Sequence, residues 1–259
     1  MSRVKRARDD APAADAASPE EGADPRTEHL RRALGARDAA TRLRHADEGL
    51  AMPAMDPEVG MLLERQRYLG HLELGDLAGA EAAAARMVAS GAMPDVARHE
   101  HGRVLAALGR HDEAIAAQRA AAEAAPADRR SFHRWCLASI EAQAGDLEAA
   151  LRTLADALGE ATRDRALLEA HAAWLNLRLG RGVADLQGLR ARLRASPNRE
   201  GYGQFLLGML AHELGDRPAT VAHLRAFLRR NARIDEAKRR TLEHELAAAR
   251  RVLALLVSS

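Results

Sequence analysis

The eleven residues 107–117, ALGRHDEAIAA, place a glycine between two segments of helix-forming residues, and the pattern occurs five times in the chain. The related stretches are ELGDLAGAEAA at 73–83, QAGDLEAALRT at 143–153, RLGRGVADLQG at 178–188 and ELGDRPATVAH at 213–223. Successive central glycines are 34, 36, 35 and 35 residues apart, at Gly75, Gly109, Gly145, Gly180 and Gly215. A period of this length predicts an array of five structural repeats.

Each repeat has the pattern of two helices joined by a turn. The central glycine suits the left-handed residue at which the first helix ends. Aspartates that can cap the second helix follow it, at Asp76, Asp112, Asp146 and Asp216. Pro94, Pro126 and Pro197 lie 17 to 19 residues after a central glycine, where the second helix should end.

One repeat, residues 95–126, resembles a tetratricopeptide repeat in its small and turn residues. The matching residues are Gly102, Leu105, Gly109, Ala114, Ala121 and Pro126, and GRHDEAI at 109–115 is similar to the family's Gly-Asp-Tyr-Asp-Glu-Ala-Ile. The units that begin at Ser131 and Gly201 match as well, so the resemblance covers residues 61–232. It implies an all-α fold, a right-handed superhelical solenoid of helix-turn-helix repeats with a terminal capping helix.

Four segments are predicted along the chain. Residues 1–26 are rich in Ala, Pro, Asp and Glu without apolar periodicity, which predicts a disordered tail. Residues 27–56 are interpreted as a degenerate repeat or a pair of N-terminal capping helices, and residues 57–232 as the five repeats. Residues 233–259 are predicted to form a C-terminal capping helix, because the end of a solenoid needs a cover.

Composition and motifs argue against several classes of function. A formal charge of +2 does not favour nucleic acid, and the single cysteine, Cys136, excludes an internal disulfide. No apolar run approaches the ~20 residues of a membrane span. The sequence lacks a phosphate-binding loop, an HExxH motif and a nucleophile elbow, so no enzyme, cofactor or metal site is predicted. The Arg- and Ala-rich composition indicates a bacterial protein, and a cytoplasmic location is expected.

The rare aromatic residues share one helical phase. Five of the seven lie opposite the positions at which the helices of a repeat pack together, and Met209 joins them; the five are Phe132, Trp135, Trp174, Tyr202 and Phe205. In tetratricopeptide repeats that side lines the concave groove. The six residues are therefore candidates for binding a partner. An alternative is that they are core residues covered by the chain's own last helix, which ends in VLALLV at 252–257.

Three hypotheses for the function follow. The first is a scaffold that binds a peptide or a partner protein in the concave groove. The second is a structural module that forms a homodimer through the same apolar face or through the helix that ends in VLALLV. The third is binding of nucleic acid or an acidic partner through the arginines between Arg190 and Arg251.

Overall fold

The structure, a computed structural model, describes residues 24–53, 56–161 and 163–258. Over these ranges the chain forms fourteen α-helices and one short 3-10 helix, without a β-strand, which confirms the prediction of an all-α fold. Most of the predicted tail, residues 1–23, lies outside the described part. Asp24 and Arg26, assigned to the tail from the sequence, are buried beside the first helix.

Six helix pairs follow one another along the chain. An N-terminal pair, α1 (Thr27–Leu34) and α2 (Ala39–Leu50), precedes the five predicted repeats. The repeats consist of α3 (Pro57–Leu74) and α4 (Leu77–Ala89), α5 (Pro94–Ala107) and α6 (His111–Ala124), α7 (Ala127–Gln143) and α8 (Leu147–Glu160), α9 (Arg165–Arg178) and α10 (Leu186–Ala195), and α11 (Tyr202–Glu213) and α12 (Arg217–Arg230). The short 3-10 helix, Pro197–Arg199, lies between α10 and α11.

The start of α1 is tied to the start of α3. The Asp24 carboxylate accepts a hydrogen bond from Arg26 Nη2 at 2.6 Å and one from the backbone N–H of Asp56 at 2.8 Å. These bonds favour the ionised carboxylate, and they hold the pKa of Asp24 well below its usual range. The ordered chain therefore begins at least three residues before the predicted boundary at Thr27.

The turns between paired helices follow the sequence prediction. All five central glycines adopt left-handed φ angles between 69° and 93°, a region that costs glycine little because it has no Cβ. Asp76, Asp146 and Asp216 each accept a hydrogen bond from the backbone N–H three residues ahead, at 2.8–3.1 Å. The predicted cap at Asp112 is wrong, because α6 begins at His111 and Asp112 lies inside its first turn.

The two helices of a repeat meet at small residues. Ala114 of α6 and Ala150 of α8 are fully buried, and a Cβ at Gly102 would lie only 3.3 Å from the Ala114 carbonyl oxygen. At Gly208 a Cβ would lie 2.4 Å from a methyl group of Leu224. Small residues at these contacts let the two helices of a repeat approach closely. They therefore set the spacing between the helices.

Enlarging either buried alanine should therefore destabilise the protein. We expect Ala114→Leu and Ala150→Leu each to lower the free energy of unfolding by about 1–3 kcal/mol, because the added methyl groups overpack a helix contact. Urea denaturation followed by circular dichroism measures the change. Ala116→Leu and Ala155→Leu are matched controls, since both alanines are exposed on the same helices. Equal stability of all four variants and the parent chain would contradict the proposed packing.

The C-terminal segment differs from the predicted single helix. It forms two helices, α13 (Glu236–Thr241) and α14 (Glu243–Ser258), which are separated at Leu242. Helix α14 packs against α11 and α12, the last repeat, whereas α13 reaches α5 and α3 of the first two repeats. The Thr241 carbonyl accepts a hydrogen bond from Gln143, and Arg240 Nη1 donates to the Ala107 carbonyl at 3.1 Å. The end of the chain thus contacts both ends of the repeat array.

Candidate functional site

The six predicted partner-binding residues divide into two groups by exposure. Phe205 is 0%, Trp174 4% and Met209 9% exposed, so these three are buried. Trp135 and Tyr202 are half-buried, and Phe132 is 38% exposed. All six lie on the first helices of repeats three to five, as their sequence phase indicates, but they do not form one continuous accessible surface.

The buried group belongs to the largest apolar core cluster. The ring of Phe205 lies 4.8 Å from Trp174 and 5.3 Å from Phe227, measured between ring centroids, at angles that favour aromatic contact. The same cluster contains the α14 residues Leu246, Ala249 and Val252. The apolar side of α11 is therefore covered by the chain's own last helix, and Trp174, Phe205 and Met209 are core residues. The alternative of core packing applies to these three.

A hydrogen-bonded chain of side chains connects three repeats to α14. Trp135 Nε1 donates to His171 Nδ1 at 2.9 Å, and His171 Nε2 lies 3.3 Å from the Tyr202 hydroxyl. Burial lowers the pKa of His171 to about 3, helped by the positive charge of Arg178, so the ring is neutral. Because His171 Nδ1 accepts a hydrogen bond from Trp135, the proton of the neutral imidazole is on Nε2, where it points at the Tyr202 oxygen.

The chain ends at a buried carboxyl group on α14. The Tyr202 hydroxyl donates to Glu245 Oε1 at 3.1 Å, and burial raises the pKa values of both groups. The second oxygen of Glu245, Oε2, is buried without a hydrogen-bond partner among the described residues. Sequence reasoning missed His171 and Glu245, since a polar residue at a buried helical phase gives no indication of its distant partner.

Two of the three more accessible aromatic residues, Phe132 and Trp135, line a groove. This central groove, of about 490 Å³, lies between α5, α7 and α13. Its walls include Phe132, Trp135, Cys136 and Ile140 of α7, His99 and Arg103 of α5, and Lys238 of α13. Most of this lining is apolar or aromatic, with the charged groups of two basic side chains nearby. Such a surface can bind apolar and hydrogen-bonding groups.

Two titratable side chains of the groove wall, His99 and Cys136, are uncharged at neutral pH. Burial lowers the pKa of His99 to about 4, and its Nδ1 lies 3.0 Å from Gln118 Oε1. Burial also raises the pKa of the Cys136 thiol to about 12, so this cysteine is not a reactive thiolate at neutral pH. Glu100 stays ionised behind the wall, between Arg65 at 2.9 Å and Arg103 at 2.8 Å.

Several arginines of the C-terminal half have acidic partners within the chain. Arg190 contacts Asp216 at 2.6 Å, Arg192 contacts Glu169 at 3.2 Å, and Arg239 and Arg240 both contact Glu236. These ion pairs reduce the positive charge that an acidic partner would meet. Within the described ranges, each helix is too short or too polar to cross a lipid bilayer.

Comparison with known proteins gives matches in structure. No protein-family model and no curated protein matches the sequence. PilF of Pseudomonas aeruginosa has a similar structure, with a TM-score of 0.57 and 14% identity over 84% of this chain and 97% of that chain. MamA of Desulfovibrio magneticus RS-1, from residue 41, has a TM-score of 0.49 and 19% identity, covering 60% and 84% of the two chains.

The TPR domain of P58(IPK) also matches, with a TM-score of 0.35 and 18% identity over 90% of this chain and 66% of that chain. Identities at this level concern the fold alone. The helix pairs of the five repeats, the left-handed glycine turns and the small residues at the helix contacts all agree with the structural similarity. This chain has the fold of the tetratricopeptide-repeat proteins.

Proposed function

We propose that this protein is a non-enzymatic interaction scaffold that binds a segment of a partner protein in the central groove. The observation that carries the proposal is the exposure of Phe132. This ring remains 38% exposed beside half-buried Trp135, whereas Trp174, Phe205 and Met209 are buried in the core cluster to which α14 contributes. An exposed aromatic ring in a concave site is the kind of residue that supplies most of the binding energy in protein interfaces.

The chemistry of the groove favours an apolar segment that carries a carboxylate. Phe132 and Ile140 offer apolar contacts, and Lys238 supplies positive charge beside them, whereas the charge of Arg103 is partly offset by Glu100 at 2.8 Å. A groove of this size accommodates a few side chains rather than a folded domain. The apolar face of α11, one of the two surfaces considered for a homodimer, packs against α14, so the groove is better supported than that face as a site for a partner.

Selection of peptides from a displayed random library against the full chain tests the proposal. Synthetic peptides from the selection should bind the unmodified protein in a fluorescence-polarisation titration and contain an apolar residue near an acidic one. We expect Phe132→Ala to weaken binding by about 2 kcal/mol, or about 30-fold in Kd, because it removes the central anchor.

A matched control separates the groove from general surface apolarity. Leu74 is 61% exposed at the end of α3, outside the groove, so Leu74→Ala should leave peptide affinity unchanged. If selected peptides bound Phe132→Ala as tightly as the unmodified protein, the groove would not be the binding site. Failure to select any saturable ligand would argue against the scaffold function itself.

A further inference from the structure

Three potential metal ligands meet where α1 crosses α2. His29 of α1 and His45 and Glu48 of α2 place one ligand atom each within 4.8 Å of one another, the one such group of three found in the described part of the chain. Glu48 Oε2 lies 3.4 Å from His29 Nδ1 and 3.1 Å from His45 Nδ1. Both imidazoles are partly buried, while the carboxylate is 44% exposed. In the sequence, this His29–His45–Glu48 cluster lies well before the residues that line the central groove.

The distances within the cluster suit a tetrahedral ion. Zinc bonds to histidine nitrogen and carboxylate oxygen at about 2.0–2.1 Å, and for a tetrahedral angle this gives about 3.3 Å between neighbouring ligand atoms. The two distances to Glu48 Oε2 lie on either side of that value. The two imidazole nitrogens lie within 4.8 Å of each other, so the side chains would have to draw together around a single ion.

The close helix crossing is what brings His29 to the cluster. A Cβ at Gly49 would lie 2.9 Å from the Cβ of His29, so a larger residue there would push the two helices apart. His45 and Glu48 are three residues apart on α2 and therefore project from the same face. His29 lies sixteen residues before His45 in the sequence, and the helix crossing brings the two side chains close together in space.

One ligand atom lacks a hydrogen-bond partner. His29 Nδ1 is buried without a hydrogen bond among the described residues, although it lies near the Glu48 carboxylate. A buried polar nitrogen without a partner costs free energy, and coordination of an ion would satisfy it. Arg44 approaches the other carboxylate oxygen, Oε1, at 4.0 Å, which leaves Oε2 facing the imidazoles.

We propose that His29, His45 and Glu48 bind a zinc ion, with water as the fourth ligand. Two imidazole nitrogens and one carboxylate oxygen favour zinc and neighbouring transition metals over Ca²⁺ and Mg²⁺, which bind oxygen ligands. The ion bridges α1 and α2 and stabilises the N-terminal helix pair. The histidines of the second and third repeats, His99, His101, His111 and His133, are not part of this cluster.

Calorimetric titration of the full chain, freed of any affinity tag, with Zn²⁺ tests the proposal. We expect one saturable site per chain, and Co²⁺ at the same site should show the intense visible absorption of a tetrahedral complex. His45→Ala and Glu48→Gln should each weaken Zn²⁺ binding at least about tenfold. Glu48→Gln is the safer variant for folding because this side chain is nearly half exposed.

His101→Ala is the matched control. His101 Nε2 pairs with Glu81 Oε1 at 3.3 Å without belonging to the three-residue cluster, so its loss should leave Zn²⁺ affinity unchanged. Circular dichroism of each variant checks that the helices remain. Unsaturable Zn²⁺ binding, equal Zn²⁺ affinity of Glu48→Gln and the unmodified protein, or a Co²⁺ spectrum of octahedral type would overturn the proposal. The three residues would then form an ion-paired cluster without a bound metal.

Discussion

Replacement of Phe205 by alanine is expected to lower the free energy of unfolding by about 3–5 kcal/mol. The Phe205 side chain is fully buried, and its ring contacts those of Trp174, Tyr202 and Phe227 at centroid distances of 4.8–5.6 Å. Alanine would leave a cavity among side chains of α9, α11 and α12 that the rigid helix pairs cannot readily fill. Equilibrium urea denaturation, monitored by circular dichroism, gives the loss directly.

Phe132→Ala serves as the comparison for this prediction. Phe132 is another phenylalanine on the first helix of a repeat, but it is 38% exposed, so its removal forfeits less buried area. We expect a loss of stability well below that of Phe205→Ala. If the two variants lost equal stability, the division of the aromatic residues into core and groove would be incorrect.

Local features of the fold could be predicted from the sequence because their causes are local. A glycine turn and an aspartate cap depend on residues within a few positions, and in four of the five repeats the second helix starts two residues after the central glycine, although α6 lacks the predicted aspartate cap. The exception is the fourth repeat, where α10 begins only at Leu186 after Gly180. There Asp185 caps α10, and its side chain accepts a hydrogen bond from the Gly188 N–H at 2.9 Å.

The accessibility of the aromatic residues could not be predicted, because it depends on contacts distant in sequence. Helical phase places Tyr202 and Phe205 on the concave side whether or not another helix covers them. The cover comes from α14, and the Tyr202–Glu245 hydrogen bond joins residues 43 positions apart. The His29–His45–Glu48 cluster was missed for a related reason, since no spacing rule relates ligands on two separate helices.

The docking of α14 can be tested at its most buried small residue. Ala249 is fully buried in the core cluster that contains Phe205 and Trp174. Ala249→Asp would place a carboxylate among apolar side chains, one helical turn from the buried carboxyl group of Glu245. We expect the free energy of unfolding to fall by about 3–5 kcal/mol, or α14 to detach at a similar cost.

Hydrogen exchange distinguishes the two outcomes, because detachment raises exchange in α14 alone whereas global destabilisation raises it throughout the core. Detachment should also speed trypsin cleavage after Arg250 and Arg251, which lie on the same helix. Ala247→Asp is the matched control, since this alanine is exposed on α14 and the substitution carries the same helix-propensity cost. Equal exchange and equal stability in the two variants would show that α14 does not cover α11, and the buried aromatic residues would then be open to a partner.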